Sequence, residues 1–284
     1  MSSTDFIISQ ITEDTSRFDA YISLFSKCFI GASKYTYNYL KWQYLDNPCG
    51  HAIGYDVMIG DQVIAHYAVI PFPAVINNQD CLACWSLNTA THPDYQGRGL
   101  FIKLANMTYQ LAERMGFYAV VGIANNNSTP GFINKLNFQL FGQLKTKFGY
   151  FRNLMLPEKK TGHRKWTNDM LHWRLNNPSK KYYYRNFKQH RRIYAHAYKF
   201  NIPFVLGACS SNINLPQKVE KLSLFSLIKP SFFVSHNYNV SGIFFNLPKR
   251  ILPSPWNIIY RALNETLDIS SLDIGICLLD NDTL

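Results

Sequence analysis

A chain of 284 residues that is 47% apolar and 15% aromatic can bury a full core, which excludes wholesale disorder. The formal charge is +11, and Lys145 to Lys199 holds 15 Lys and Arg against only Glu158 and Asp169. That excess calls for an anionic partner (nucleic acid, phospholipid, a nucleotide-linked substrate or coenzyme phosphates) or marks a solvated basic face.

Six cysteines are scattered, and Cys81 and Cys84 form a CxxC pair with no second pair to complete a zinc site. No metal is expected, and the thiols are expected to be buried and reduced. The start, MSSTDFIISQITEDTSRF, lacks the basic and apolar regions of a signal peptide. The run IAHYAVIPFPAVI is too short to span a bilayer. A cytoplasmic protein is expected, with no transmembrane segment; peripheral membrane contact stays open.

The elements begin with a strand over Asp5 to Ile11. A helix follows, with Ser16 as its cap and Phe18, Tyr21, Ile22, Phe25 and Phe29 at helical spacing. The aromatic stretch from Tyr35 to Tyr44 stops at Asn47-Pro48 and Gly50. A hairpin turns at Gly60-Asp61, its second strand running to Pro71, and CLACWSLNTATHP is the next strand. A helix runs from about Gly99 to Met115, with Leu100, Leu104, Met107, Leu111 and Met115 on one face and Gly116 as its left-handed end. YAVVGIA reads as a buried strand, NNNSTP as a turn, then a short helix ends at Asn137 and NFQLFGQL forms a strand. This order predicts a mixed α/β (α+β) sheet with helices on its faces.

Near Leu144 the composition turns basic and aromatic, which predicts a boundary between domains 1–148 and 149–284. The second half echoes the first: LKWQYLDNP (Leu40 to Pro48) is matched by LHWRLNNP (Leu171 to Pro178), in a chain with five Trp. Residues 150–284 are therefore expected to be a second, divergent copy of the same fold. That copy has no equivalent of Gln-Gly-Arg-Gly, so only the first would keep a cofactor site.

The stretch THPDYQGRGLFIKL places Gln96, Gly97, Arg98, Gly99 and Leu100 where a strand hands over to a helix. Unpaired amides at a helix start, approached closely past glycines, make a phosphate cradle. The P-loop pattern is absent, and a dinucleotide fingerprint would need glycine where Ile102 stands. The spacing resembles instead the Q/R-x-x-G-x-G/A motif of the GNAT acyltransferase superfamily. Pro93-Asp94-Tyr95, the strand Ala119–Ala124, Asn126 and Lys135-Leu136-Asn137-Phe138 also resemble that family's surroundings. The resemblance covers residues 5–145 and implies an acetyl-CoA-dependent N-acetyltransferase fold, followed by a GNAT-like second half. It implies the coenzyme pyrophosphate on Gln96–Leu100, the pantetheine arm near Asn126, and the acetyl carbonyl at backbone amides near Thr91. Trp42 to Gly50 together with THPDYQGRGLF resembles a subgroup found with surface-polysaccharide genes, which implies a nucleotide-linked amino sugar as acceptor.

Three positions depart from the family pattern. Phe101 stands where Gly or Ala is usual, Asn137 replaces Gly, and Ile133, beside Phe132, occupies the place of the usual tyrosine acid. An amine acceptor needs a base, since it is mostly protonated at neutral pH. The titratable candidates near the motif are His66 and His92, with Ser128 as a weak donor to the leaving thiolate. Each also has a plain structural reading, Ser128 as support for its turn. The basic segment favours an anionic acceptor, and Trp173, Tyr182, Tyr183 and Tyr184 could stack on it or fill core. Two other readings remain: a non-catalytic GNAT-fold protein docking on nucleic acid or an anionic membrane, and an acyltransferase using a longer acyl-CoA.

Overall fold

A computed structural model describes residues 6–154, 160–188, 190–196, 202–223, 229–248, 250, 254–263 and 272–281. The first half runs β1 (Ile7–Gln10), α1 (Phe18–Cys28), α2 (Tyr37–Tyr44), β2 (Ile53–Ile59), β3 (Gln62–Ile76), β4 (Gln79–Thr91), α3 (Leu100–Arg114), β5 (Ala119–Ala124), α4 (Thr129–Lys135) and β6 (Gln139–Gln143). The second half runs β7 (Lys145–Leu154), β8 (Gly162–Arg164), α5 (Asn168–Leu175), β9 (Tyr183–Asn186), β10 (His190–His196), β11 (Pro203–Ser210), β12 (Glu220–Lys221), β13 (Ser231–His236), β14 (Val240–Asn246), β15 (Asn257–Ala262) and β16 (Ile276–Cys277).

Local chemistry explains most of these bounds. In α1 the buried residues Phe18, Tyr21, Leu24 and Phe25 form one apolar face. Ser16 does not cap it: its amide and hydroxyl both donate to Asp14 Oδ1, at 2.9 and 2.6 Å. Strand β3 runs past Pro71 to Ile76, because Pro71 and Pro73 lie beyond the β2 pairing and before the β8 pairing. There β4 pairs with each proline on one side, and on the other only the proline carbonyls are used, Pro71 O by Asn47 Nδ2 and Pro73 O by the Lys165 amide, so no ladder donor is needed.

Helix α3 starts at Gly99, which adopts φ 72° as its N-cap, and Gly116 follows its end at φ 83°. Asn137 takes the left-handed conformation after α4, at φ 54°. The buried face of α3 is Leu100, Leu104, Ala105, Thr108, Tyr109 and Ala112, rotated from the Leu100-Leu104-Met107-Leu111-Met115 stripe. Met115 is exposed. Ala105 and Ala112 let the helix approach the sheet, and Thr108 and Tyr109 can be buried because each hydroxyl is hydrogen-bonded, to Leu104 O and Tyr67.

The two sheets have corresponding orders, β1-β2-β3-β4-β5-β15-β6 and β12-β9-β10-β11-β13-β7-β14. In the first, β4 and β5 pair in parallel at Cys84↔Val120 and Trp85↔Val121. In the second, β11 and β13 do so at Phe204↔Phe232 and Val205↔Phe233. Two strands of the second half join the first sheet: β15 lies antiparallel between β5 and β6, and β8 pairs antiparallel with β3, while β7 lies between β13 and β14 in the second sheet. Sheet membership therefore crosses the expected 148/149 division at β8 and β15, and β7 itself spans it. One continuous core contains Trp42 and Trp173 together with buried residues of both halves, and a second lies under α3 and α4.

Beyond the parallel pairs the two sheets differ. In the second half the chain's last described stretch fills the gap between β11 and β13. Cys277 pairs with Ser235, the Leu279 amide donates to Leu206 O at 2.9 Å, and Leu278 and Leu279 are buried. Gly207 is required there, since a Cβ would come within 2.8 Å of Cys277 Sγ. In the first half the corresponding gap is open.

Candidate active site

The open gap is a cavity of about 970 Å³ between β4, β5 and the glycine stretch, closed at its far end by the second half. It starts where β4 bulges. His66 pairs with Ala90 but Ala68 with Leu87, so Asn88 and Thr89 oppose the single residue Tyr67, and Asn88 sits at φ 50°. The bulge bends β4 away from β5. Ser86 and Gly122 mark the apex, where a Cβ on Gly122 would lie 3.2 Å from Ser86 Cβ.

One mouth is formed by the glycine stretch. Gly97 and Gly99 have φ of 76° and 72°, which turns the chain sharply before α3. A Cβ on either would meet no atom within 4 Å, so the surface is open. The amides of Gly97, Arg98, Gly99, Leu100, Phe101 and Ile102 have no backbone partner among the described residues. The loop is braced from behind: Gln96 Nε2 donates to Thr91 O at 3.2 Å, and Arg98 lies 5.1 Å over the Tyr95 ring. Leu100 is buried and fixes the helix to the sheet. Six unpaired amides at the positive end of a four-turn helix are a built receptor for a phosphate chain.

Residues 9–141 match the family model described as Acetyltransferase (GNAT) domain. Solved structures show the same fold over most of the chain. A probable N-acyltransferase of unknown function from Enterococcus faecalis V583 is 10% identical at a TM-score of 0.58, covering 92% of this chain and 73% of its own. A GCN5-related N-acetyltransferase from Kribbella flavida is 11% identical at 0.58, covering 91% and 71%. Another from Anabaena variabilis ATCC 29413 is 11% identical at 0.54, covering 91% and 73%. No curated protein matches the sequence.

Within the matched residues Phe101 is accommodated by Gly131. The ring packs on Phe132 and Tyr67, and its Cε1 would be 2.9 Å from a Cβ on Gly131. It forms cavity wall between α3 and α4, while the loop amides stay uncovered. Asn126 is exposed and does not line the cavity; its neighbours Asn125 and Asn127 do. Asn125 Oδ1 accepts from the amides of Asn127 and Ser128 and from Ser128 Oγ at 3.1 Å. Ser128 thus lines the cavity and supports its turn at once.

The two histidines do not line the cavity. His66 is fully buried, with Nδ1 2.7 Å from Asp56 Oδ1 and Nε2 2.8 Å from Tyr44 OH. Asp56 also accepts from Tyr21 OH at 2.7 Å and Arg17 Nη1 at 2.9 Å. Asn88 Nδ2 donates to Tyr44 OH at 2.9 Å and to Gln43 Oε1 at 2.7 Å, so this buried network reaches the cavity wall at Asn88 and Gln43 and, through them, at Tyr35 and Tyr39. Burial and the Asp56 charge hold Tyr21 far above the usual phenol range. His92 Nδ1 accepts from the Asp94 amide at 3.3 Å and caps the turn Pro93–Tyr95, with Nε2 3.2 Å from Lys27 Nζ.

Asp280, carried on the stretch that plugs the second gap, is the acidic residue among those lining the cavity. Its Oδ2 accepts from the Cys277 amide at 2.8 Å, while Oδ1 lies 4.0 Å from Arg164 Nε. Burial raises its affinity for a proton above that of an ordinary carboxyl, against the pull of Arg164. Arg174 anchors this stretch by donating to Leu278 O, Leu279 O, Asn281 O and Tyr182 OH.

Of the aromatic residues marked in the sequence, Trp173 lines the cavity; Tyr182 is buried against Arg174, and Tyr183 and Tyr184 lie in β9. Part of the basic segment surrounds a second cavity, of about 570 Å³, with Arg152, Arg185 and Arg192. Among the described residues no group of three or more His, Cys, Asp or Glu is placed to hold a metal ion, all six cysteines are free thiols, and no helix is long and apolar enough to cross a membrane.

Proposed function

We propose that the protein is an acetyl-CoA-dependent N-acetyltransferase that transfers the acetyl group directly to the amine of a small acceptor that also carries an anionic group. The observation that carries this reading is the run of unpaired amides from Gly97 to Ile102, opening on the same cavity as the Asp280 carboxylate. The amides receive the coenzyme pyrophosphate, and the pantetheine arm enters the gap between β4 and β5. The acceptor occupies the far end, walled by Trp173, Arg164 and Asp280.

The amine arrives as an ammonium ion and must lose a proton to attack. Asp280 is placed to take it, because burial raises its proton affinity. The nitrogen lone pair then attacks the thioester carbonyl, the carbon–sulfur bond breaks, and the amine's second proton passes to the departing thiolate. The products are an amide and the free thiol. Holding both partners in one cleft supplies much of the rate. A nucleotide-linked amino sugar is the acceptor class favoured by the basic segment.

The test is thiol release from acetyl-CoA across a panel of amines, against Asp280→Asn. The reading predicts acceptor-dependent release that Asp280→Asn reduces about 10²- to 10⁴-fold, the usual worth of a general base. Binding of acetyl-CoA without release for any amine would contradict it, and release only from longer acyl-CoA would move the donor assignment.

A further inference from the structure

Arg164 ends β8 at the acceptor end of the cavity, and its donors are unused. The residue is 6% exposed. Its side chain makes no hydrogen bond with any described residue, and its buried Nε has no partner. Asp280 Oδ1 stands 4.0 Å from its Nε, an ion pair not closed by a hydrogen bond, and the Arg174 guanidinium is a second charge acting on it. Arg174, which lines the same cavity, has its donors spent on the carbonyls of residues 278, 279 and 281 and on Tyr182. A guanidinium brings five N–H donors, and leaving buried donors unmade costs roughly 1–3 kcal/mol per group or more. Burial lowers the Arg164 pKa to about 10, the expected response of a buried cation lacking hydrogen-bond partners.

The surroundings restrict what can meet it. The guanidinium carbon lies 4.4 Å from the Phe72 ring centroid, 5.4 Å from that of Trp85 and 5.3 Å from that of Trp166. With its faces on aromatic rings, the group is reached along its edge, where paired N–H groups match two oxygens in one plane. Arg164 and Asp280 together are neutral. A ligand with only an anion would leave Asp280 Oδ1 without a proton donor, and one with only an amine would leave the guanidinium unmet. A ligand carrying both satisfies both and adds no net charge to a buried site.

We propose that Arg164 anchors a carboxylate of the acceptor, and that the acceptor is an amino-acid-like molecule with its carboxylate beside the primary amine that is acetylated. The carboxylate sits on the Arg164 fork and the amine against Asp280 Oδ1. This rests on the acetyltransferase reading and names the chemistry its acceptor site selects. Arg164 is here a specificity residue, and the proton transfer stays with Asp280.

The experiment measures acetyl-CoA binding by calorimetry and thiol release with each α-amino acid beside its carboxamide and its decarboxylated amine. A nucleotide-linked amino sugar is run as a separate arm, in wild type, Arg164→Gln and Arg164→Lys. The expected result is turnover of a free amino acid in preference to its amide and amine by at least about tenfold in KM, the low end for hydrogen bonds to a charged group. Arg164→Gln should raise that KM about 10- to 150-fold and erase the preference, with acetyl-CoA affinity unchanged. Arg164→Lys should recover only part of it. Equal turnover of acid, amide and amine, or turnover confined to the amino sugar and unaltered in Arg164→Gln, would overturn the inference while leaving the acetyltransferase reading in place. Failure of wild type to bind acetyl-CoA would overturn both.

Discussion

The indoles of Trp42 and Trp173 stack 4.9 Å apart at 15°, and each donates its Nε1 proton to the other's carbonyl oxygen at 2.6 Å. The two residues are 131 positions apart, and their helices share a frame. Thr36 caps α2 through the Tyr39 amide, and Thr167 caps α5 through the Met170 amide. Asn47 and Asn177 each accept the amide two residues on, past a proline. A contact that each half makes identically on the other is what a local two-fold relation produces. The halves are thus joined by symmetry at the wall of the cavity.

The reciprocity predicts matched energetics. Trp42→Phe and Trp173→Phe each keep a ring and remove one buried hydrogen bond, so each should cost about 1–3 kcal/mol. Denaturant unfolding should give the two variants the same loss within experimental scatter. A large loss for one and none for the other would mean that the contact is one-sided.

The insertion of β15 into the first sheet predicts that the first half does not stand alone. Residues 1–148 lack β15, which leaves facing edges of β5 and β6 unpaired. The fragment should aggregate or stay unfolded, whereas fragments 1–154 and 160–284 expressed together should co-purify as a one-to-one complex. A soluble, monomeric 1–148 with native-like circular dichroism would show the insertion to be dispensable.

The Asp56 network predicts a stability role separate from catalysis. Asp56 is fully buried and meets Arg17, Tyr21 and His66. Asp56→Asn breaks the buried charge pairs and should cost about 3–5 kcal/mol. Acetyl-CoA affinity should hold in the folded variant, because neither Asp56 nor His66 lines the cavity. A variant of normal stability with lost turnover would instead make this network part of the proton path.

Asp280 predicts a pH dependence. The base acts when ionised, so kcat/KM should rise with pH through the Asp280 titration, which burial moves above the usual carboxylate range. Asp280→Asn should lose that limb, leaving the shallower rise from ionisation of the free amine. An unchanged profile in the variant would remove Asp280 from the chemistry.

What the sequence made legible was local. Gly97, Gly99 and Asn137 occupy conformations that their residue types favour, and all three were identifiable from spacing alone. The Trp42 and Trp173 repeat was visible because tryptophan is scarce and Leu-x-Trp leads to Asn-Pro in both stretches, one residue sooner in the second. The rotated face of α3 was not, since it depends on small residues and on a tyrosine whose hydroxyl finds Tyr67 across the sheet. Arg164 and Asp280 lay outside every motif. They meet in the cavity only because the second half docks against the first and its own gap is filled by residues 276–281, a consequence of topology that no window of sequence contains. His66 and His92 drew attention as titratable groups near the motif, yet both are consumed by structure, one under Tyr44 and one in the turn before Gln96.

The most direct measurement is calorimetric titration of acetyl-CoA into the wild type beside Gly99→Trp. The indole would be placed on the open face of the loop, where a Cβ now meets nothing within 4 Å. Micromolar binding to the wild type that disappears in a Gly99→Trp variant of normal helical content would place the coenzyme on the Gly97–Ile102 amides. No binding to the wild type, or binding unchanged by the tryptophan, would contradict the account.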